Sequence, residues 1–292
     1  MFALSNKSSS GIDFVSPKIV KMAVDILKKP LHYIINLSIA EGEFPDSWKE
    51  SKIIPIFKKK GSKFDKKNYR PVSPLRSVSK LLEIIVNQQV LHYFEANNLL
   101  PKSQHGFRPS RSTFTAIANM HDEWLNNYRS GRSTIVTCFD LSAAFDTLSP
   151  SIFCSKLKLY GFDSKSVNWF KTYMENRKQA VLIGATLSEQ LTTNIGSPQG
   201  AIISTTIFII LLADISLWSE SSIHSYADDT TSSVSGYDIQ ELKDLCEKEA
   251  QNILNYMATN KLKANDDKTA ILIIKRNQSL ENESLQIGNE II

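Results

Sequence analysis

The chain has 292 residues, of which 42% are hydrophobic and 22% are charged, and its net charge is +4. This length can bury one large core or two modest ones, and the composition is ordinary for a globular protein. The most hydrophobic stretch, residues 201–213, is too short to span a bilayer, and the first ten residues do not form a signal peptide. The three cysteines are spaced too widely for a zinc motif. We therefore expect reduced, structural thiols in an intracellular protein, nuclear or cytoplasmic.

Helices and strands alternate along the chain without regular β-α-β spacing. Apolar periodicity predicts one or two helices over residues 17–39, and further helices at 79–99, 112–130, 149–161, 163–176, 201–218 and 239–259. Short apolar or alternating segments predict strands at 53–57, 133–141 and 270–275, and hairpins at 178–195, 223–234 and 284–292. The pattern, which contains no repeat, indicates an α+β fold with one antiparallel sheet and helices packed on one face.

Basic residues are concentrated in one segment. Between Pro45 and Lys80, eleven Lys and Arg accompany three acidic residues, which gives this segment a charge of +8 and leaves −4 for the remainder. A basic lobe beside a mildly acidic body suits an enzyme that handles a polyanion, because phosphate neutralisation supplies most non-specific affinity. A solvated charged loop is the alternative interpretation.

Two adjacent carboxylates stand in the predicted turn of the 223–234 hairpin, in the run Tyr226-Ala227-Asp228-Asp229. Such a pair is unfavourable unless a cation offsets the repulsion, and oxygen ligands suit Mg²⁺, although a solvated polar turn is the commoner explanation. Asp140 ends a predicted strand 88 residues before Asp228. If the two strands are neighbours, three carboxylates meet at one sheet edge, where they can hold two divalent ions roughly 3.5 to 4 Å apart.

Six motifs occur in a fixed order: Asn68-Tyr69-Arg70-Pro71-Val72-Ser73, Gln104-His105-Gly106-Phe107-Arg108, Asp140-Leu141-Ser142-Ala143-Ala144-Phe145-Asp146, Gly196-Ser197-Pro198-Gln199-Gly200, Tyr226-Ala227-Asp228-Asp229 and Asn265-Asp266-Asp267-Lys268-Thr269. Together they resemble the reverse transcriptase of non-LTR (LINE-type) retrotransposons, closest to the jockey-like elements. The resemblance covers nearly the whole chain. It implies a right-hand polymerase core in which residues 1–132 are mainly fingers and residues 133–292 mainly palm. It also leads us to expect neither the endonuclease nor the thumb of such enzymes in this chain.

The resemblance implies roles for individual residues. Asp140, Asp228 and Asp229 match the catalytic, metal-binding carboxylates. Four residues match positions that contact the incoming nucleotide: Arg70 on its triphosphate, Phe145 as the gate that excludes a ribose 2′-hydroxyl, Gln199 beside the nascent base pair, and Lys268 at the departing pyrophosphate. Four basic residues are expected to follow the template or the triphosphate: Lys58, Lys59, Lys60 and Arg108. Each of these eight residues also has an ordinary structural interpretation that does not use the resemblance. Phe145 is then a core residue, Gln199 belongs to an ordinary turn, and the six basic side chains are simply solvated.

The function that the resemblance implies is RNA-directed DNA polymerisation by two-metal nucleotidyl transfer to a primer 3′-hydroxyl. It implies two Mg²⁺ ions, for which Mn²⁺ may substitute, and three partners: an RNA template, a DNA primer and deoxynucleoside triphosphates. We expect no membrane partner, and the oligomeric state is open. One rival is a decayed or co-opted remnant that binds nucleic acid without synthesis; another is a metal-dependent nuclease or cyclase with a similar sheet.

Three positions depart from the family pattern. Thr205 stands where a proline is usual, Ala143 where a lysine is common, and Tyr256 where a tryptophan is common. None of them removes a catalytic group. The loss of the proline puts the packing of the helix after Gly200 in doubt.

Overall fold

The structure, a computed structural model, describes residue 4 and residues 10–142, 144–265, 268–275, 285–288 and 290–291. Its contacts divide the chain into two compact units, each built from two segments. Unit 1 comprises Met1–Phe94 and Phe145–Ile207, and unit 2 comprises Glu95–Ala144 and Phe208–Ile292. Among the described residues, no helix is both long enough and apolar enough to cross a membrane. The predicted division into residues 1–132 and 133–292 concerns functional lobes and stays a prediction.

The described residues form helices and strands that confirm the α+β class. The helices are α1 (Pro17–Met22), α2 (Val24–Glu41), α3 (Ser77–Ala96), α4 (Thr113–Arg129), α5 (Pro150–Leu159), α6 (Ser164–Met174), α7 (Ile202–Leu211) and α8 (Ile239–Thr259). The strands are β1 (Glu50–Phe57), β2 (Tyr69–Val72), β3 (Ser133–Phe139), β4 (Leu141–Ser142), β5 (Arg177–Ile183), β6 (Thr186–Leu187), β7 (Leu191–Thr193), β8 (Ser222–Tyr226), β9 (Asp229–Gly236), β10 (Lys263–Ala264), β11 (Ala270–Ile274), β12 (Gln286–Ile287) and β13 (Glu290–Ile291). Residues 284, 289 and 292 of the last predicted hairpin lie outside the described residues.

Local capping signals account for most helix boundaries. Ser112 caps α4 in a reciprocal capping box with Thr115, and the Asp163 carboxylate accepts a hydrogen bond from the first turn of α6. The predicted helix after Gly200 is shorter than expected. It ends at Leu211 rather than near Trp218, and a separate 3₁₀ turn follows.

Unit 1 contains a mixed sheet in the strand order β2-β1-β5-β6, with β7 also paired to β5. β1 and β5 run parallel, whereas the other pairs are antiparallel. The sequence predicted one antiparallel sheet for the chain, so this second, mixed sheet is a correction. Strands far apart in sequence are not joined by a turn, and no local signal therefore specifies their direction. The predicted hairpin at Gly184 does form, with this glycine at a φ of 62° between β5 and β6.

Unit 2 is built on a four-stranded antiparallel sheet in the order β11-β3-β9-β8. The central strand β3 carries the fully buried Ile135 and Val136 on its two faces. β3 and β9 pair over the whole length of β3, from Ser133 opposite Gly236 to Phe139 opposite Thr230. This long register fixes which residues stand beside each other where the two strands meet the β8–β9 turn.

Helices contact both faces of the unit 2 sheet, where the sequence predicted one face. α8 covers the face of Thr137, whose hydroxyl lies 3.3 Å from the Cys246 sulfur. α4 reaches the opposite face through Glu123, which accepts hydrogen bonds from Ser222 (2.7 Å) and Ser233 (2.9 Å). The reason for the difference is chemical: β8 and β9 present hydroxyl groups on that face, and these need a polar partner when they are covered.

The three cysteines are free thiols, of which Cys154 and Cys246 are buried as expected. Cys138 is exposed, which corrects its prediction as a structural thiol. It lies near the end of β3, opposite Thr231 and on the same face as the fully buried Val136, so its exposure comes from its place near the strand end rather than from strand alternation.

The Glu123 network gives a prediction about stability and pH. Burial raises the pKa of Glu123, but hydrogen bonds from His224, Ser222 and Ser233 outweigh it, so this pKa lies below its ordinary value. A depressed pKa stabilises the fold above the ordinary glutamate pKa of about 4.3, and the stabilisation is lost as the pH falls through the folded value. Glu123→Gln should therefore lower the free energy of unfolding at pH 7 by about 1–2 kcal/mol.

Urea denaturation at pH 7 and at pH 3.5 to 4 measures this effect, and the gap between the two proteins should narrow at the lower pH. Glu189→Gln, at an exposed position of unit 1, is the matched control and should leave stability unchanged. A gap that does not depend on pH would contradict the assigned role of the Glu123 charge.

Candidate active site

The two adjacent aspartates lie at the tip of the β8–β9 hairpin, as the sequence predicted. Tyr226 pairs with Asp229, so Ala227 and Asp228 form a two-residue turn. Ala227 has a φ of 59°, a left-handed conformation that costs a residue with a side chain roughly 1–2 kcal/mol. Asp228 is not among the residues with positive φ. The turn is therefore strained at its first position, and surrounding contacts must hold it in place.

The sheet register brings Asp140 beside this hairpin. Asp140 directly follows β3, whose last pair joins Phe139 to Thr230. One step further along the same antiparallel register, Asp140 stands opposite Asp229, and side chains at opposite positions have Cβ atoms roughly 4.5–5.5 Å apart. The structure thus brings together Asp140 and Asp229, with Asp228 in the adjoining turn.

These three carboxylates interact electrostatically. Burial raises the pKa of Asp229, and the charges of Asp228 and Asp140 raise it further, while Lys268 acts in the opposite direction. The Lys268 ammonium lies 2.7 Å from Asp140 Oδ2, and this hydrogen bond raises the pKa of Lys268. The ammonium is therefore held in its charged form beside the acidic group.

Asn265 holds Asp140 in place and had been given no role from the sequence. Its side-chain amide donates to Asp140 Oδ2 at 2.9 Å, and its main-chain N–H donates to the Asp140 carbonyl oxygen at 2.8 Å. The pairing of β10 with β4 brings this segment to the end of β3. The only sequence signal was the position of Asn265 next to Lys268 in one motif. Asp266 and Asp267 of that motif, like Ala143, lie outside the described residues.

The carboxylates of Asp140, Asp228 and Asp229 are chemically suited to bind a divalent cation. Carboxylate oxygens are the ligands that Mg²⁺ prefers, and the mutual repulsion that raises the pKa of Asp229 is what a cation would relieve. Lys268 occupies one oxygen of Asp140 as a cation of lower charge. In the part of the chain that the structure describes, no group of three or more His, Cys, Asp or Glu side chains is arranged to hold a metal ion.

In unit 1, Gln199 is bound to a carboxylate that the sequence analysis left out of the site. Its side-chain amide nitrogen lies 3.1 and 3.2 Å from the two oxygens of Asp146, and its main-chain carbonyl oxygen accepts a hydrogen bond from the Ser73 N–H at 2.8 Å. Burial raises the pKa of Asp146, and the Gln199 hydrogen bond partly offsets this. Asp146, Gln199 and Ser73 line a cavity of about 280 Å³. The neighbouring Phe145 is half-buried.

The four basic residues of unit 1 that have predicted roles, Arg70, Lys58, Lys59 and Lys60, are exposed. Arg70 is exposed on β2 opposite Ile56, and it has no ion-pair partner among the described residues. Lys58, Lys59 and Lys60 are exposed after β1. The Lys58 ammonium donates to the Lys67 carbonyl oxygen at 2.8 Å, which ties the two ends of this basic loop together.

Arg108 of unit 2 differs from these residues because its guanidinium has partners within the chain. It forms two parallel hydrogen bonds of 2.8 and 2.6 Å with the Glu95 carboxylate, and a third of 2.6 Å with the Pro101 carbonyl oxygen. Its side chain is only 6% exposed. These contacts favour a structural role for Arg108. Its binding to nucleic acid stays a prediction.

The two departures that fall on described residues are accommodated. α7 forms without the usual proline, because Glu83 accepts a hydrogen bond of 2.8 Å from the Ile202 N–H and the Thr205 hydroxyl donates to the Ile202 carbonyl oxygen at 3.0 Å. Tyr256 is fully buried, and its hydroxyl lies 2.6 Å from the Asp214 carboxylate. The packing doubt raised by Thr205 is therefore resolved.

The chain matches the family model described as reverse transcriptase (RNA-dependent DNA polymerase) over residues 57–286. It therefore belongs to the reverse transcriptase family. The likeness to non-LTR, jockey-like retrotransposons that the six motifs indicated is confirmed by its relatives.

Among these relatives, the probable RNA-directed DNA polymerase from transposon X-element of Drosophila melanogaster is 25% identical over 230 residues, which are 77% of this chain and 25% of the relative. The RNA-directed DNA polymerase from mobile element jockey of Drosophila funebris is 28% identical over 217 residues, 73% of this chain and 23% of the relative. The chain thus spans about a quarter of the length of the curated relatives that it matches.

The fold is similar to that of telomerase. The apo telomerase of Candida tropicalis truncated from the C-terminal domain superposes with a TM-score of 0.58 at 12% identity, covering 84% of this chain and 53% of that chain. The telomerase of Candida albicans, solved with a fragment of telomeric RNA, gives a TM-score of 0.55 at 13% identity, covering 90% and 48%. At these identities the likeness concerns the fold alone.

Gly106 gives a prediction about the strained turn. A Cβ added to Gly106 would overlap the main-chain nitrogen of Ala227 and lie 2.7 Å from its Cα. Because the obstacle is backbone, Gly106→Ala should displace the turn and lower the free energy of unfolding by about 1–3 kcal/mol, as overpacking does.

Urea denaturation tests this with Gly236→Ala as the control. A Cβ at Gly236 of β9 meets no atom closer than 3.6 Å, so this variant should be as stable as the wild type. Equal stability of the two variants would show that the close approach of Gly106 to Ala227 is not a real constraint.

Proposed function

We propose that this chain is the fingers and palm core of an RNA-directed DNA polymerase, which extends a DNA primer on an RNA template. The main support for the proposal is the β3–β9 register, in which Phe139 is the last paired residue of β3 and lies opposite Thr230. Continued by one residue, this register sets Asp140 opposite Asp229, next to the turn that contains Asp228. We assign the palm role to the sheet of unit 2, and we assign nucleotide-binding roles to residues of unit 1. Membership of the reverse transcriptase family supports this reading.

Asp140, Asp228 and Asp229 would hold two Mg²⁺ ions, or Mn²⁺ in their place. When bound, such ions lower the pKa of an attacking hydroxyl and stabilise the charge that develops in phosphoryl transfer. The protein's own contribution is to keep Asp140 and Asp229 beside the strained turn that carries Asp228. Asn265 and Lys268 fix the orientation of Asp140 through its Oδ2 oxygen.

Lys268 would assist the departure of pyrophosphate. Its ammonium is held in its charged form by Asp140, and its side chain is 64% exposed, so a phosphate oxygen can approach it. Arg70 would bind the incoming triphosphate. Its guanidinium is exposed and has no ion-pair partner within the described part of the chain, so it can donate two parallel hydrogen bonds to phosphate oxygens. Both residues would neutralise negative charge on the nucleotide.

Phe145 and Gln199 would select the nucleotide. A half-buried aromatic ring can stand against the sugar and leave no room for a 2′-hydroxyl group, which is the role we propose for Phe145. Gln199 would lie beside the nascent base pair. Its amide group is oriented by Asp146, so Asp146 joins the proposed selecting residues as a positioning group.

Lys58, Lys59 and Lys60 would bind the phosphates of the template. Binding through exposed lysines is insensitive to sequence and weakens as salt increases, because counterions are released. The names of the relatives describe RNA-directed DNA polymerases, and one structural neighbour was solved with RNA, which supports RNA as the template.

Primer extension on an RNA template with Mg²⁺ tests the proposal directly. Asp228→Asn should lower incorporation by about a hundredfold or more, because it removes a charge that acts on the reacting phosphate. Asp244→Asn, at an exposed position of α8, is the matched control and should keep wild-type incorporation.

A gel-shift titration with the same RNA distinguishes an active polymerase from the rival function, a remnant that binds nucleic acid without synthesis. A wild-type chain that is folded and binds RNA but makes no product is a nucleic-acid-binding remnant. Equal product from the wild type and Asp228→Asn would remove the catalytic assignment of the hairpin.

Replacement of Phe145 tests the proposed gate. Phe145→Val should raise the use of ribonucleotides relative to deoxynucleotides by about 10- to 200-fold, since one lost pocket contact changes discrimination by roughly 1–3 kcal/mol. The measurement is the ratio of kcat/KM for the two nucleotides in single-nucleotide extension. Phe64→Val, at a fully exposed residue of unit 1, should leave the ratio unchanged. An unchanged ratio in Phe145→Val would mean that this ring does not touch the sugar.

A further inference from the structure

The strained turn of the hairpin has a buried polar partner in unit 2. The side-chain oxygen of Gln104 accepts a hydrogen bond from the Ala227 N–H at 3.3 Å and another from the Gly106 N–H at 2.9 Å. Gln104 is 2% exposed and Ala227 is 7% exposed, so water does not replace this acceptor easily. In a two-residue hairpin, the ladder pairs only the residues that flank the turn, here Tyr226 with Asp229. The Ala227 N–H thus depends on Gln104.

The segment that carries Gln104 is fixed to the edge of β8. The His105 N–H donates to the Ser225 carbonyl oxygen at 2.8 Å, and the Ser225 N–H donates to the Ser103 carbonyl oxygen at 3.0 Å. A parallel bridge joins Gln104 to Ser225. These main-chain bonds fix residues 103–105 to the edge of β8 through an isolated bridge.

Two further contacts hold the ends of this segment. The His105 ring lies 2.9 Å from the Thr115 hydroxyl of α4, and the Arg108 guanidinium is bound to Glu95 and to the Pro101 carbonyl oxygen. The Gln104 amide therefore approaches the turn from a rigid frame. Such a frame can hold Ala227 in a conformation that costs free energy in isolation.

We infer that Gln104 is a positioning residue that locks the Ala227–Asp228 turn, and through it the orientation of the Asp228 and Asp229 carboxylates. The inference rests on the proposed function for its catalytic consequence. A buried N–H that loses its acceptor is destabilised, so without Gln104 the left-handed conformation of Ala227 is no longer maintained. The carboxylates then sample other directions, and a misplacement of about 1 Å can cost a hundredfold in rate.

Gln104→Met and Gln104→Glu separate positioning from general stability. Methionine fills a similar volume without an acceptor, whereas glutamate keeps an oxygen at the same place. In primer extension, Gln104→Met should lower kcat about tenfold or more and raise the Mg²⁺ concentration for half-maximal rate, with KM for the nucleotide within about twofold. Gln104→Glu should recover most of the loss. Gln88→Met, at an exposed position of α3, should behave as the wild type.

Hydrogen exchange of the Ala227 amide, measured by NMR, gives a readout that does not need activity. The amide should be protected in the wild type and in Gln104→Glu, and about tenfold less protected in Gln104→Met. This pattern in a chain without polymerase activity would support the lock and contradict only the proposed function. An unprotected Ala227 amide in the wild type, or full kcat and wild-type Mg²⁺ dependence in Gln104→Met, would overturn the inference.

Discussion

The pairing of β3 with β9 is the constraint on which the rest of the account depends. Strands from distant parts of the chain pair in one register, and a slip of a single residue would turn Asp140 to the other face of the sheet. The alternation along β3 buries Ile135 and Phe139 against the core. Because hydrophobic burial enforces the register, the position of the first carboxylate follows from the packing of the unit 2 core.

The carboxylates of the acidic site repel one another, and other groups of the chain keep them in place. Burial and then the neighbouring carboxylates raise the pKa of Asp229, and Lys268 acts in the opposite direction. Lys268 and the Asn265 amide both bind Asp140 Oδ2. The turn adds strain at Ala227, which Gln104 balances from a buried position. Like charges gathered on a strained hairpin suit a site at which bound cations supply the missing positive charge.

The features that could be predicted from the sequence are those that local sequence signals specify. Apolar periodicity located the helices, and the positions of Asp140 at a strand end and Asp228 in a turn predicted a shared sheet edge on the condition that the two strands were neighbours. Side-chain pairs between distant segments carried no such signal. Nothing in the sequence around Glu123 signals its hydrogen bonds to the hydroxyl groups of β8 and β9, and Gln104 lies 123 residues from its partner Ala227. The parallel pairing of β1 with β5 was missed for the same reason.

Anomalous diffraction from crystals grown with Mn²⁺ tests the central claim most directly, because it locates the metal without requiring turnover. With a primer–template and an incoming nucleotide bound, the account predicts two manganese peaks, with oxygens of Asp140 and Asp228 among their ligands. Manganese bound elsewhere, or none at these carboxylates while the β8–β9 turn is well ordered, would contradict it.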